Sequence, residues 1–236
     1  MTRPSTDLPD SASDERATRT GLAPRLAACR ARALDVLLSP GTVLQLGFSD
    51  GLLTRELARY HPHVVAVGCN PDQVARAKQA TENLPVDVYL SPLETFEPPD
   101  GLRFDAIVSA CLYESLDDPV AVLSRCPQWL TDDGVLVAIV AHGRADSPLT
   151  GPNPQRLSRP DRGGNEPIGR PHTVERLRMD LQLAGLRVRT TGGIMFKPIP
   201  NSKMHELPKE LVAAYQALGN HVPELTAEIY AVAARP

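Results

Sequence analysis

Two glycines stand between a short apolar run and a segment with helical spacing. Gly47 and Gly51 follow the mostly apolar residues 43–46 and precede leucines that recur on one helical side. Glycine allows positive φ and the close approach of a ligand, and the first N–H groups of a helix are unpaired. The pattern predicts a turn that holds a nucleotide-like cofactor. The same glycines also suit a plain corner between a strand and a helix.

A histidine follows the most strand-like segment of the chain. His142 stands just after the apolar residues 135–140. An imidazole with a pKa near 6.5 accepts a proton from a hydroxyl or an amine at neutral pH, so His142 is the candidate general base. A single histidine is also a common structural residue. The other histidines and the four cysteines have no metal-ligand spacing, and no metal site is predicted.

Composition excludes several classes of protein. The net charge is -3 with scattered arginines, which gives no electrostatic reason to expect nucleic acid. The apolar runs are far shorter than the ~20 residues of a membrane span, and the polar start lacks a signal-peptide core. The widely spaced cysteines indicate reduced, mostly buried thiols. These features predict a cytoplasmic protein that does not bind nucleic acid.

Strand and helix patterns alternate along the chain. This alternation predicts a doubly wound α/β fold with a parallel sheet. The expected strands are residues 43–46, 64–67, 86–90, 104–109, 135–140, 186–191 and 228–233. The expected helices are residues 22–38, 52–60, 71–80, 118–130, 172–183 and 207–218, with a turn at 132–134.

We expect one domain over residues 21–236 after a disordered segment, residues 1–20. Residues 142–171 are rich in glycine, proline and arginine, and form either a lid over a ligand or an insertion without a role. A second, helical insertion is expected over residues 195–224.

Four segments together resemble the class I S-adenosylmethionine-dependent methyltransferases. They are Gln-Leu-Gly-Phe-Ser-Asp-Gly at 45–51, Asn-Pro-Asp at 70–72, Phe-Asp-Ala-Ile-Val at 104–108 and Leu-Tyr-Glu-Ser-Leu-Asp-Asp-Pro at 112–119. The resemblance covers residues 43–140, with a softer match over residues 192–204. It implies a Rossmann-like, seven-stranded sheet that is mostly parallel with an antiparallel last strand.

The resemblance also implies a cofactor and a reaction. The expected cofactor is S-adenosylmethionine, and the expected reaction is methyl transfer to an oxygen or nitrogen atom of a small metabolite. A base is needed only where the acceptor carries a proton to lose. The implied cofactor-binding residues are Gln45, Gly47, Ser49, Gly51, Asn70, Glu94, Cys111 and Tyr113.

Several positions depart from the family pattern. Gly68 stands where an acidic residue usually grips the ribose hydroxyls, Gln45 replaces the acidic residue of the first motif, and Ser49 replaces its middle glycine. Pro92 stands near the usual adenine-facing acidic residue, and Glu94 or Asn70 could supply that polar contact instead. These changes support a second hypothesis: a methyltransferase-fold protein that binds a partner or catalyses a reaction without the cofactor.

Several single residues admit more than one role. Asp50 either caps the following helix or contacts the ligand, and Asp105 is expected to be architectural. Tyr113 lies either in the wall of the cofactor pocket or in a surface loop. His172 is expected to open a helix, with Thr173 as the other candidate cap. A nicotinamide-dependent oxidoreductase is disfavoured, because the turn lacks Gly-x-Gly-x-x-Gly.

Overall fold

A single mixed sheet organises the chain. The computed structural model describes residues 23–110, 112–113, 116–142, 172–196, 207–219 and 221–236 of the 236-residue sequence. The predictions for residues 1–20, for most of the insertion 142–171 and for Cys111 fall outside the described residues. Seven strands carry the sheet: β1 (Thr42–Leu46), β2 (His63–Gly68), β3 (Val86–Leu90), β4 (Phe104–Ser109), β5 (Leu130–Ala141), β6 (Arg187–Phe196) and β7 (Thr226–Ala234).

The sheet has the predicted topology. Its strand order is β3-β2-β1-β4-β5-β7-β6. The neighbouring strands among β1 to β5 pair in parallel, and β7 pairs antiparallel with both β5 and β6. The expected seven-stranded sheet with an antiparallel last strand is therefore confirmed. Because parallel strands end at one edge, the chain segments after β1, β2, β4 and β5 all emerge on the same side.

Helices cover both faces of the sheet. The described helices are α1 (Ala23–Asp35), α2 (Leu52–Leu57), α3 (Pro71–Ala80), α4 (Pro119–Leu123), α5 (Cys126–Trp129), α6 (Val174–Leu183) and α7 (Lys209–Gly219). One core cluster packs α4, α5 and α6 against side chains such as Leu46 and Ile107. Another packs α1, α2 and α7 against the opposite face through side chains such as Val43 and Val108. The central strands are buried on both faces, as expected for a parallel sheet.

The region between β4 and β5 differs from the sequence prediction. We expected one helix over residues 118–130 and a turn at 132–134, but the structure has two short helices, and β5 already begins at Leu130. Pro127 has no N–H to continue the helix from α4, so a new helix, α5, begins at Cys126 with Pro127 in its first turn. Phe104 pairs with Leu130, and Ala106 pairs with Val135, so the predicted turn is a bulge within β5.

Asp105 has the expected architectural role. Its Oδ2 accepts a hydrogen bond from the Thr42 backbone N–H at 2.8 Å, and its Oδ1 accepts one from Thr131 Oγ1 at 3.3 Å. Gly41 leaves room for this carboxylate, since its φ is 131° and an added Cβ would lie 2.0 Å from Asp105 Oδ2. Asp105 therefore fastens the start of β1 to β4 and β5.

The described cysteines are less buried than predicted. Cys126 is buried, and its thiol donates to the Val122 carbonyl at 3.7 Å, but Cys29 is half-buried and Cys69 is exposed. Cys69 is exposed because it follows the last residue of β2, where the chain leaves the core. Within the described ranges, no helix has the length and apolarity that a membrane span requires.

His61 is a buried histidine at the end of the α2 segment. It is 4% exposed, and neither ring nitrogen has a hydrogen-bond partner in the described part of the chain. Burial lowers the pKa of His61, while the Asp35 carboxylate and the Gly41 backbone oppose that shift. The folded protein therefore holds this imidazole neutral at a pH where the unfolded chain protonates it.

We expect His61 to make the protein less stable in acid. As the pH falls below the unfolded pKa of about 6.5, the unfolded state binds the proton first and the free energy of unfolding decreases. Denaturant titrations at about pH 7.5 and about pH 5 measure how much unfolding free energy is lost in acid. This loss should be smaller for His61→Leu than for the unmodified protein. The exposed His221, changed to leucine, is the control and should leave the loss unchanged. An equal loss in both variants would contradict the assignment.

Candidate functional site

The glycine turn after β1 is held against the end of β2. Gly47 has a φ of 77°, and its N–H donates to the Val67 carbonyl at 2.9 Å. Leu46 pairs with both Val67 and Ser109, so the ends of β1, β2 and β4 lie side by side. The turn therefore lies at the carboxyl edge of the sheet, where ligands bind in open α/β folds.

Gly51 sets the start of α2. Its φ is 78°, and an added Cβ would lie 2.5 Å from Ala77 Cα in α3. Asp50 Oδ1 accepts from the Leu52 N–H at 3.1 Å, which supports the capping interpretation of Asp50. Gly51 is thus required structurally whether or not its backbone also contacts a ligand. Ser49, in the middle of the turn, is exposed at this edge.

Gln45 lies under the turn. Its side-chain Nε2 donates to the Gly47 carbonyl at 3.3 Å, a contact that a carboxylate could not make. The residue is 1% exposed, and its Oε1 has no hydrogen-bond partner within the described residues. A buried acceptor without a partner is costly, and a cofactor with an N–H donor at this edge would satisfy it. At this end, the residues present fit the cofactor that the resemblance implies.

The structure gives Asn70 and Glu94 different surroundings. Asn70 Oδ1 accepts from the Asp72 N–H at 2.9 Å and from the Gln73 N–H at 3.2 Å, so its oxygen caps α3. Its amide nitrogen remains available as a donor. Glu94 is exposed in the segment after β3, with its backbone carbonyl engaged by Arg125. Both stay candidate ligand contacts.

Arg125 organises the segment after β3, and sequence reasoning did not find it. Its guanidinium donates to the carbonyls of Glu94 at 2.5 Å, Phe96 at 2.7 Å and Leu93 at 3.4 Å. A planar guanidinium offers several N–H donors in a fixed fork, which suits three neighbouring carbonyls. The conformation of residues 93–97, and with it the position of Glu94, therefore depends on a side chain some thirty residues away.

Two further contacts hold Arg125 itself. The guanidinium lies 5.0 Å from the centroid of the Trp129 ring and forms an ion pair with Glu97 at 2.5 Å. Trp129 Nε1 in turn donates to Glu97 Oε2 at 3.3 Å. The start of α5 and the segment after β3 thus form one hydrogen-bonded unit beside the cofactor edge.

Replacing Arg125 by methionine should loosen this segment. The carbonyls lose their donor, which should lower the free energy of unfolding by about 1–3 kcal/mol. We also expect about tenfold weaker binding of S-adenosylhomocysteine in calorimetry, equivalent to about 1.4 kcal/mol. Lysine should not restore either quantity, because an ammonium lacks the planar fork.

The matched control for Arg125 is Arg235. It forms an exposed ion pair with Asp132 at 2.7 Å, away from the segment after β3. Arg235→Met should change stability by less than about 1 kcal/mol and leave ligand affinity unchanged. Equal effects of the two substitutions would refute the positioning role of Arg125.

Tyr113 lies in the core and not in a surface loop. It is 9% exposed, and its ring centroid is 4.9 Å from that of His172 in an edge-to-face arrangement. Burial raises the pKa of Tyr113, and the nearby Asp180 carboxylate raises it further. Its hydroxyl has no hydrogen-bond partner in the described part of the chain. Tyr113 therefore packs under α6 as a neutral phenol, and its contact with the cofactor stays a prediction.

Thr173 is the cap of α6. Its Oγ1 accepts from the Arg176 N–H at 3.2 Å, whereas His172 forms an isolated bridge to His142. The expectation that His172 opens the helix is wrong, because this backbone pairing holds it one residue before the cap. Burial lowers the pKa of His172.

His142 is buried at the end of β5, on the same edge as the glycine turn. It is 5% exposed, its N–H donates to the Ala227 carbonyl at 3.0 Å, and its Nδ1 lies 3.2 Å from the Thr226 carbonyl. A carbonyl partner requires Nδ1 to carry the proton, which leaves the lone pair on Nε2. The tautomer is the one that a general base using Nε2 needs.

A pocket of about 370 Å³ adjoins His142. It lies between the start of α6, the end of β5, the middle of β6 and the segment before β7, with β5 two strands from β1. Two strand spacings amount to about 10 Å, so a ligand in the turn and a second one in this pocket would be neighbours. The residues that line the pocket are His142, Thr173, Val174, Glu175, Thr191, Gly192 and Pro223.

Known proteins are similar to this chain in sequence. Residues 44–138 match a family model described as a methyltransferase domain. An uncharacterized methyltransferase of Mycobacterium tuberculosis is 34% identical over 108 residues, which cover 45% of this chain and 54% of that protein. A ubiquinone biosynthesis O-methyltransferase of Xylella fastidiosa is 33% identical over 103 residues, covering 43% and 42%. The chain thus spans about half the length of the curated relatives it matches.

Solved structures share the fold over nearly the whole chain. A TehB-like S-adenosylmethionine-dependent methyltransferase from Corynebacterium glutamicum superposes with a TM-score of 0.56 at 17% identity, covering 96% of this chain and 99% of its own. The [4+2]-cyclase SpnF superposes with a TM-score of 0.60 at 16% identity, covering 91% and 82%. At these identities the likeness establishes the fold.

Proposed function

We propose that this chain, whose residues 44–138 match a methyltransferase domain, is an S-adenosylmethionine-dependent methyltransferase. It transfers a methyl group to an oxygen or nitrogen atom of a small metabolite. The observation that carries this proposal is the shared edge of β1 and β5. The glycine turn and the Gln45 amide lie at one point of that edge, and His142 with its pocket lies two strands away.

The cofactor supplies a methyl group already activated by its sulfonium. The protein therefore has to align the two ligands, exclude water and receive a proton where the acceptor has one to lose. The backbone of Gly47 and the Oε1 of Gln45 are the groups that hold the methionine end. The segment fixed by Arg125 borders the nucleoside end. His142 Nε2 receives the proton of a hydroxyl or amine acceptor.

Two observations support the proposed methyl acceptor. A relative over part of the chain is named an O-methyltransferase. The pocket of about 370 Å³ has the size of a small-molecule site and mixes apolar with hydroxyl and carboxylate side chains. The acceptor class that we propose is a hydroxylated aromatic or an amine of similar size. We also propose that the protein acts in the cytoplasm and does not bind nucleic acid.

Isothermal calorimetry with S-adenosylmethionine and S-adenosylhomocysteine tests the cofactor. Both should bind, and ligand at about 100 times its dissociation constant should stabilise the protein by about 2.7 kcal/mol in a thermal-shift assay. NAD and NADP are the comparison ligands and should produce no shift. The proposal would be wrong if neither adenosyl ligand at millimolar concentration produced binding heat in calorimetry or a shift of the melting temperature.

A second candidate function rests on the end of β2. Gly68 offers no side chain to the ribose, and the fold is shared with a protein named as a [4+2]-cyclase. The second candidate is a protein of this fold that binds a ligand without transferring its methyl group. Binding of S-adenosylmethionine without release of S-adenosylhomocysteine over a broad panel of phenols and amines would favour it.

A further inference from the structure

The end of β2 is filled by an aromatic ring from the turn after β1. Phe48 is 5% exposed and packs in a small cluster with Ala66, Val74 and Ala77. A Cβ added to Gly68 would lie 2.9 Å from Phe48 Cζ and 3.2 Å from both Cε atoms. The far edge of the ring thus occupies the space that a side chain at position 68 would enter.

The backbone of Gly68 does not itself demand glycine. Its φ lies outside the left-handed region, and it pairs with Leu90 of β3 in regular parallel register. Its carbonyl accepts from the Ser91 N–H at 3.0 Å. What excludes a larger residue at position 68 is therefore the ring of Phe48, and the two residues form a complementary large-small pair across the strand ends.

The neighbouring polar groups are partly committed to the fold. Asn70 Oδ1 accepts two N–H groups of α3, and Asp50 Oδ1 accepts the Leu52 N–H of α2. Gly68 itself presents no oxygen beyond its bonded carbonyl. A sugar lying over the end of β2 would meet the edge of a phenyl ring, which accepts no strong hydrogen bond from a hydroxyl.

We propose that Phe48 makes the nucleoside end of this site indifferent to the ribose 2′-hydroxyl, so that the cofactor is held by its base and its methionine end. This inference rests on the proposed function, because it concerns the same adenosyl ligand. By this inference, Phe48 and Gly68 determine whether the site distinguishes ligands that differ only in the sugar.

The test compares S-adenosylhomocysteine with its 2′-deoxy analogue by calorimetry. The unmodified protein should bind the two within about threefold of each other. In Phe48→Ala/Gly68→Asp, the ring is removed and a carboxylate can enter. The carboxylate can then accept a charge-assisted hydrogen bond from the 2′-hydroxyl, so the ribose form should bind at least about tenfold tighter than the deoxy form.

Three variants separate the ring from the carboxylate. Gly68→Asp alone should gain no preference, because the Cβ of the new side chain would already lie 2.9 Å from Phe48 Cζ. Phe48→Ala alone and Phe48→Ala/Gly68→Ala should gain none, because they add no acceptor. Val74→Ala removes apolar volume from the same cluster without opening the end of β2, and it is the control for loosened packing. Circular dichroism checks that each variant folds.

The outcomes distinguish the inference from the proposed function. A tenfold preference for the ribose form in the unmodified protein overturns the inference and leaves the cofactor assignment intact. A double variant that folds and shows no preference overturns it as well. If the double variant does not fold, the ratio in the unmodified protein decides alone. Absence of binding of both ligands to every variant overturns the proposed function and the inference together.

Discussion

Gly51→Ala is expected to lower the free energy of unfolding by about 2–5 kcal/mol. The left-handed backbone at Gly51 costs an L-residue about 1–2 kcal/mol, and the added methyl forces an overpacked contact worth about 1–3 kcal/mol. The second cost arises because the methyl would lie 2.5 Å from a backbone atom, Ala77 Cα, which no side-chain rotation can move. Chemical denaturation monitored by circular dichroism measures the loss.

Gly185 provides the matched control. Its φ is 77°, against 78° for Gly51, but an added Cβ there would meet nothing within 4 Å. Gly185→Ala should therefore cost only the backbone strain of about 1–2 kcal/mol. The difference between the two variants isolates the contact between α2 and α3. If the two substitutions lower the free energy of unfolding equally, α3 moves to accommodate the methyl group at no energetic cost. The close packing at Gly51 then has no role in stability.

The same substitution should also affect the site. Gly51 and Ala77 set how closely α2 and α3 approach, and the turn at Gly47 leads directly from β1 into α2. Displacing α2 moves the backbone of the turn, so S-adenosylhomocysteine should bind at least about tenfold more weakly to Gly51→Ala. Gly185→Ala should bind it normally, because position 185 follows α6, away from the turn.

Elements with strong local signals were predictable from the sequence. The bounds of α3, Pro71–Ala80, agree with the prediction because Asn70 caps the helix and Pro71 suits its first turn. The strands β3 and β4 likewise have the predicted bounds. In each case, residues adjacent in the chain determine where the element starts or stops.

Features that depend on distant residues were not predictable. The bulge in β5 exists because Phe104 pairs with Leu130 before the register shifts, which no local pattern records. Arg125 acts on carbonyls of residues 93–97, and Phe48 fills space beside Gly68, twenty positions along the chain. A signal for the Phe48–Gly68 pair was nonetheless present. A bulky residue in the turn accompanies a missing side chain at the end of β2, and the two departures could have been considered together.

His142→Gln is expected to lower kcat by about 100-fold for an acceptor that must lose a proton. Glutamine has about the length of histidine and still offers a hydrogen-bond donor, but it has no basic nitrogen, so the site loses its proton acceptor. Release of S-adenosylhomocysteine with a panel of phenols measures the effect. The affinity of the variant for S-adenosylhomocysteine, measured by calorimetry, should stay within about threefold of that of the unmodified protein, because His142 lies two strands from the glycine turn.

An acceptor that is already ionised separates proton removal from positioning. With 4-nitrophenol in its phenolate form, a base has no proton to take, and His142→Gln should lower kcat by less than about tenfold. His172→Gln is the control, since it keeps the backbone pairing with His142 and should slow neither acceptor. If His142→Gln slows both acceptors equally, the residue shapes the pocket without receiving the proton. In that case alignment of the two ligands accounts for the reaction, as the activated sulfonium allows.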